Sequence, residues 1–198
     1  MTVDPVEVAK EKQAGDLFGE FRRSAEAISA RVYRAGKYSE AAGIIAGLIR
    51  EHSAKKVVAT ATPLVERLSL DGISGEVPVC RDNLRLHAAG AVIGVSEADF
   101  AIAETGTLVC DATDINARLV STLPPVHVAL VNEDRLVAGL GEAIGLYGCG
   151  DRGPLPGYLA FISGPSRTAD IERILTIGVH GPAELHIIFV GGPGGGDQ

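Results

Sequence analysis

Leu17, Phe21, Ala25, Ile28 and Val32 recur at steps of four, four, three and four. That spacing lays a single apolar stripe along a helix and predicts one from Asp16 to Arg34. A second apolar set, Ile44, Ile45, Leu48 and Ile49, follows Ser39, a residue suited to an N-cap. It predicts a second helix ending near His52.

Beyond His52 the period changes. Short runs rich in β-branched residues appear at "KVVATAT" (56–62), "AVIGV" (91–95), "FAIAETGTLVC" (100–110), "VHVALVN" (126–132), "YLAFISG" (158–164) and "LHIIFV" (185–190). Helix-like segments separate several of them, including Arg135 to Tyr147 and Ala169 to Ile174. "VHVALV" and "LHIIFV" are almost continuously apolar, as strands covered on both faces must be. The expected architecture is α/β: a largely parallel sheet with helices on both faces, preceded by N-terminal helices. The chain divides into an N-terminal helical extension (1–35), one α/β domain (36–190) and a flexible Gly-rich tail (191–198).

Composition narrows the function classes. At 198 residues with 22% charged side chains and no tryptophan, the chain has the profile of one folded domain. A formal charge of −7, with no long Lys/Arg block, leaves no footprint for nucleic acid or an anionic membrane. "MTVDPVEVAK" lacks an apolar segment, so no secretory signal is expected, and no run is long enough to span a membrane. A cytoplasmic location follows as the expectation. Cys80, Cys110 and Cys149 are odd in number and form no C-x-x-C pair, which argues against a disulfide framework, a zinc site or an iron–sulfur cluster. No cofactor and no metal are expected in this chain.

"GLGEAIG" from Gly139 has its third glycine one position late for a dinucleotide loop and no strand running into it. Two other stretches place polar residues at the edges of apolar strands. In "AETGTL" (103–108), a two-residue turn at Thr105-Gly106 would leave Glu104 and Thr107 as a solvated cross-strand pair. The alternative makes Glu104 a base or nucleophile, with threonine donors around a glycine that admits a ligand. In "FISGPSRTADIERILTIGVHGP" (161–182), Gly164-Pro165 ends a strand, Ser166 or Thr168 caps a helix, and Asp170 and Glu172 complement its dipole. Arg167 fits no capping role and suits an anion. His180 lies in a glycine-bounded loop, where it serves either as a titratable group or as a backbone-bonded one. His52 suits a helix C-terminus, and His127 and His186, at strand starts, read as structural.

Taken together, "ADFAIAETGTLV", "STLPPVHVALV", "GPSRTADIE" and "GVHGP", in that order, resemble the LUD-domain family in its LutC/YkgG-type lactate utilization branch. The resemblance covers roughly Val92 to Val190. It implies a NagB/RpiA/CoA-transferase-like fold and a part in oxidising L-lactate to pyruvate beside iron–sulfur partner proteins, this chain itself carrying no cluster. Carried over residue by residue, its motif positions make Glu104, Arg167 and His180 the candidate catalytic residues. Thr105, Gly106, Thr107, Gly164, Ser166, Thr168, Asp170, Glu172 and Gly181 become candidate ligand contacts, and a small carboxylate is the candidate ligand. The alternative is a stand-alone acyl/CoA transferase or sugar-phosphate isomerase with Glu104 as nucleophile or base.

Overall fold

The structure, a computed structural model, describes residues 17–147, 154–169, 175–177 and 181–191. The Gly-rich tail from 192 onward, Cys149, Asp170, Glu172 and His180 lie outside the described residues.

The first helix, α1, covers residues 17–27 and is shorter than the apolar spacing predicts. Ser29 adopts φ 71°, the Ala30 N–H reaches the Ala25 carbonyl at 3.0 Å, and the Ser29 N–H reaches Glu26 at 3.0 Å. This is a Schellman stop, and it turns the chain out of the helix. The expected helical residues after it form strand β1 (Arg31–Ala35) instead. Val32 is compatible with either period, but the ladder that Arg31–Ala35 makes with strand β12 (Glu184–Val190) decides between them. Arg31–Ala35, expected in the N-terminal helical extension, is therefore a strand of the main sheet.

Helix α2 (Tyr38–Glu51) starts one residue ahead of Ser39, with Lys37 at the N-cap. The Glu40 carboxylate accepts the Gly36 N–H at 2.8 Å, just ahead of the helix, and no side chain caps the first turn as Ser39 was expected to do.

The remaining strands of the main sheet are β2 (Val57–Ala59), β3 (Val79–Cys80), β4 (Ile93–Glu97) and β7 (Val126–Asn132). Their order is β1-β12-β7-β4-β2-β3, with every pairing parallel. A second sheet has the order β8-β5-β6-β9, from β5 (Phe100–Ile102), β6 (Thr107–Asp111), β8 (Leu136–Val137) and β9 (Leu159–Ile162). β6 runs antiparallel to both β5 and β9.

Period-two alternation assigns the faces of the main sheet. Val126, Val128, Leu130, Ile188 and Val190 pack with α2 and the short helices α3 (Pro63–Arg67) and α4 (Leu70–Ile73). On the other face Ala129, Val131, Leu185, Ile187 and Phe189 meet α1 and the second sheet. Phe189 is fully buried between Phe18 and Phe21, edge to face at 5.3 and 5.0 Å. Burying a ring such as Phe21 stabilises by about 2–3 kcal/mol. Val58 meets Leu84 and Val120, carried by helices α5 (Leu84–His87) and α6 (Ile115–Thr122). Helix α7 (Leu140–Leu146) covers the outer face of the second sheet through Ala143.

Three local expectations are corrected. The β5–β6 turn holds four residues, 103–106, because Ile102 pairs with Thr107 and the Gly106 N–H bonds back to Ile102. Glu104 is thus a loop residue and not the cross-strand partner of Thr107. The helix expected over Arg135–Tyr147 is split into a 3-10 turn (Glu133–Arg135), β8 and α7. Arg167–Ala169 form strand β10, antiparallel to β11 (Leu175–Ile177), where a capped helix was expected. Ser166 thus precedes a strand and Thr168 lies within it, while residues 170–174, most of the expected helix, lie outside the described residues.

Two glycines show how tightly the layers close. A Cβ on Gly94 would lie 2.1 Å from the Val120 carbonyl oxygen of α6. Gly106, at φ +64°, would place one 2.3 Å from the Ala25 backbone nitrogen of α1. Gly106→Ala is expected to cost about 3 kcal/mol through overpacking and left-handed strain. Gly43→Ala, in α2 with open space around its Cβ position, should be neutral or stabilise by up to about 1 kcal/mol. Urea unfolding of both variants checks the contrast, and equal midpoints would refute the seating of α1 on Gly106.

Candidate functional site

The motif residues do not form one cluster. Glu104 is exposed in its loop, and its carboxylate accepts the Leu140 N–H at 3.2 Å, at the first turn of α7. Its backbone carbonyl receives the Ser24 hydroxyl of α1 at 3.4 Å. Thr105 is exposed, and Gly106 is the seat of α1. The Arg167 guanidinium donates to the Ser29 hydroxyl at 2.6 Å, beside the stop of α1. Gly164, at φ +80°, would place a Cβ 2.6 Å from the Ile28 carbonyl oxygen. Gly106 thus admits the backbone of α1, and Gly164 that of the turn ending it, where the sequence suggested the approach of a ligand.

A second group does converge. Gly164, Ser166 and Gly181 line a cavity of about 350 Å³ at the amino ends of β7 and β12. The Ser166 N–H bonds to the Pro182 carbonyl at 2.8 Å, and a Cβ on Gly181 would sit 2.9 Å from Ser166 Cβ, so the two segments close on each other. Ser163, also lining the cavity, shares a 2.7 Å hydrogen bond with the buried Thr107 hydroxyl. Thr168 is placed by its backbone in β10.

The cavity's remaining walls come from residues that sequence reasoning passed over. Arg118 and Ser121 project from α6, His127 from β7, and Tyr158, Phe161 and Ile162 from β9 and its approach. Register explains His127: it pairs with Leu185, another lining residue, so both side chains leave the sheet on the face toward the second sheet. Its Nε2 shares a 2.8 Å hydrogen bond with Ser96 Oγ, two positions along the same face from Gly94. Burial, with a smaller contribution from His186, lowers the His127 pKa to about 4, so the ring is neutral at pH 7.

Two buried nitrogens in this cavity wall, His127 Nδ1 and Arg118 Nε, have no hydrogen-bond partner among the described residues. The Arg118 guanidinium carbon lies 5.1 Å from the centre of the Tyr158 ring. Partnerless buried polar atoms are uncommon and costly; a ligand's acceptor oxygen would satisfy Arg118 Nε, and a neutral His127 would present Nδ1 as donor or acceptor according to its tautomer. The donor set suits a small anion with an apolar body: a guanidinium and hydroxyls beside Phe161, Ile162 and Leu185. The only early signals were a histidine in the otherwise apolar "VHVALV" and an arginine in "NARLVS".

A second cavity of about 340 Å³ opens at the carboxyl ends of β2 and β4. β2 lies between β3 and β4, so the chain order reverses there, the position where open α/β sheets commonly bind ligands. Its lining is acidic, with Asp99, Asp111 and Asp114 beside Arg81. Much of this polarity is already used in the fold. Asp99 accepts the Asp111 N–H at 2.5 Å and the Tyr147 hydroxyl at 3.1 Å, Asp114 caps α6 through the Asn116 N–H at 2.9 Å, and Arg81 pairs with Asp71 at 2.8 Å. Carboxylates in this proportion repel an anionic ligand.

The LUD domain family model matches residues 19–190. Lactate utilization protein C of Halalkalibacterium halodurans is 33% identical over 74% of this chain and 67% of its own length. The proteins of that name from Deinococcus radiodurans and Shouchella clausii are 34% and 38% identical, over 63% and 50% of this chain. The matches span 56% and 44% of those two relatives, so the chain corresponds to about half of their length. The crystal structure of a DUF162 family protein from Deinococcus radiodurans superposes with a TM-score of 0.64 and 23% identity, over 90% of this chain and 98% of that one. At that identity the likeness is one of fold, and it agrees with the α/β architecture expected from the strand pattern.

The lowered pKa of His127 sets a stability window. Its folded value, about 4, lies below the usual 6.5, so between those values the unfolded chain binds the extra proton. The contribution of neutral, buried His127 is complete above pH 6.5 and is lost as pH falls toward 4, about 3 kcal/mol in all. His127→Gln, which keeps a partner for Ser96, should flatten the fall in urea stability between pH 6.5 and 4. An unchanged slope in the variant would count against a neutral His127.

Proposed function

The chain belongs to the LUD-domain family in its LutC-type branch, and from that premise we propose that it is a component of an L-lactate utilization system. In this reading it binds a small 2-hydroxy or 2-oxo carboxylate in the cavity beside Arg118 and acts in the cytoplasm with iron–sulfur partner proteins. The observation that carries the proposal is the pairing of partnerless Arg118 Nε and His127 Nδ1 in one apolar-walled cavity, in a chain whose relatives are named for lactate utilization.

Electron transfer from lactate needs a redox centre. Cys110 is buried, and burial together with nearby Asp99 pushes its thiol pKa far up, so it is held as a neutral thiol unsuited to cluster ligation. Assigning the clusters to partners accords with this. Among the described residues no helix is long and apolar enough to cross a membrane.

The acyl-transferase alternative needs a reactive Glu104. The Glu104 carboxylate instead accepts a backbone N–H at the start of α7 and is absent from the lining of the Arg118 cavity.

Two measurements test the proposal. Isothermal titration of the purified chain with lactate and with pyruvate should show binding, weakened at least about tenfold in Arg118→Gln. It should be unchanged in Glu104→Gln, which keeps an acceptor oxygen for α7. Deleting the gene in its host should abolish growth on lactate, and the wild-type gene should restore it. Equal binding by Arg118→Gln removes the site, and full growth of the deletion strain removes the pathway role.

A further inference from the structure

His186 and His127 lie one residue apart in the β12–β7 register, His186 pairing with Val128, and so face opposite sides of the main sheet. On the α2 face, away from the Arg118 cavity, His186 meets two other potential metal ligands. Glu184, two residues earlier on the same face of β12, brings Oε2 to 3.2 Å from His186 Nε2. His52, the C-cap of α2, brings Nε2 to 3.9 Å from the same oxygen. The three ligand atoms all lie within 4.8 Å of one another.

We propose that His52, Glu184 and His186 form a site for a divalent transition-metal ion of the zinc class, clamping the end of α2 to the β1–β12 edge of the sheet.

Four observations support it. First, His52 Nε2 is buried and has no hydrogen-bond partner among the described residues, an unsatisfied lone pair or proton that a metal bond would satisfy. Second, ligands bound at about 2.0–2.2 Å in a tetrahedral site stand about 3.4 Å apart. The two carboxylate–imidazole separations, 3.2 and 3.9 Å, bracket that value, and the two imidazole nitrogens, within 4.8 Å of each other, close toward it on binding. Third, His186 Nδ1 lies 3.1 Å from the Tyr33 hydroxyl, and the two rings stack at 8°. With Nε2 on a metal, the Nδ1 proton is donated to Tyr33, the outer-shell partner that orients a ligating imidazole. Fourth, the ion would sit at the carboxyl end of α2, where the helix dipole favours positive charge.

The cation already present is Arg31, whose Nη2 lies 3.6 Å from Glu184 Oε2 and whose Nη1 lies 3.8 Å from Glu51. Its side chain is 54% exposed, so on metal binding it can withdraw toward Glu51. Two neutral imidazoles and one carboxylate select zinc-class ions over Mg²⁺ and Ca²⁺, which prefer all-oxygen shells, and leave a coordination position for water. This departs from the expectation of no metal, because cysteine spacing says nothing about histidines brought together from a helix end and a strand.

The full chain, stripped with chelator, is titrated with Zn²⁺ by calorimetry and thermal unfolding, with Mg²⁺ and Ca²⁺ in parallel. About one Zn²⁺ per chain should bind and raise the Tm, while Mg²⁺ and Ca²⁺ leave both unchanged. His52→Gln and Glu184→Gln, at partly exposed positions, should keep the metal-free Tm near that of the wild type and weaken Zn²⁺ at least about tenfold. The Co²⁺ form should absorb in the visible without thiolate charge transfer. No stoichiometric Zn²⁺, equal binding by the two variants, equal binding of Mg²⁺, or a thiolate band would each overturn the site.

Discussion

The seat of α1 on the second sheet is the contact on which the rest of the structure depends. Gly106 and Gly164, both at positive φ, leave room for the backbone of α1 at Ala25 and of the turn ending it at Ile28, where any Cβ would collide. With α1 in place, Phe18 and Phe21 close over Phe189, and the two sheets share one core. Hydrogen bonds from Ser24 to the Glu104 carbonyl and from Arg167 to Ser29 fix the same seam from its two sides. Motif residues that resemble ligand contacts in sequence are here the fittings of a helix against a turn, because close backbone approach makes the same demand on glycine whichever group approaches.

The seam also shapes the cavity. β9 is held against β6, and the segment after it carries Gly164 and Ser166 to the amino ends of β7 and β12. There the chain meets Gly181 and the wall of α6, which lies close because Gly94 has no side chain to hold it away. Arg118, His127 and Ser163 then surround one volume, though they come from α6, β7 and the segment after β9, and Ser163 is held by the Thr107 hydroxyl of β6.

Alternation along β7 and β12 divides the polar chemistry between the two faces of the sheet. His127 turns toward the second sheet and the cavity, and His186 turns toward α2, Tyr33 and Glu184. Burial holds both rings toward their neutral form, and a neutral imidazole serves equally as a hydrogen-bond partner or a metal ligand. Two histidines that look alike at strand starts therefore occupy different surroundings, and only the pairing register separates them.

The strong apolar runs were legible because a buried parallel strand must be apolar on both faces; β7 and β12 fall where "VHVALV" and "LHIIFV" place them. Family membership was legible for a similar reason, since the ordered motifs need no knowledge of contacts. Weaker local signals were not legible. Arg31–Ala35 carries residues that fit a helical stripe, yet the ladder with β12 and the left-handed Ser29 make it a strand. Arg167–Ala169 pairs with Leu175–Ile177 although its neighbours look like helix caps. The layered α/β class, the covered strands and the family are written in residue patterns that act over one element at a time. Tertiary structure alone decided which glycines face a helix, which histidine joins Arg118 and which joins Glu184, because those meetings depend on register and on segments far apart in the chain.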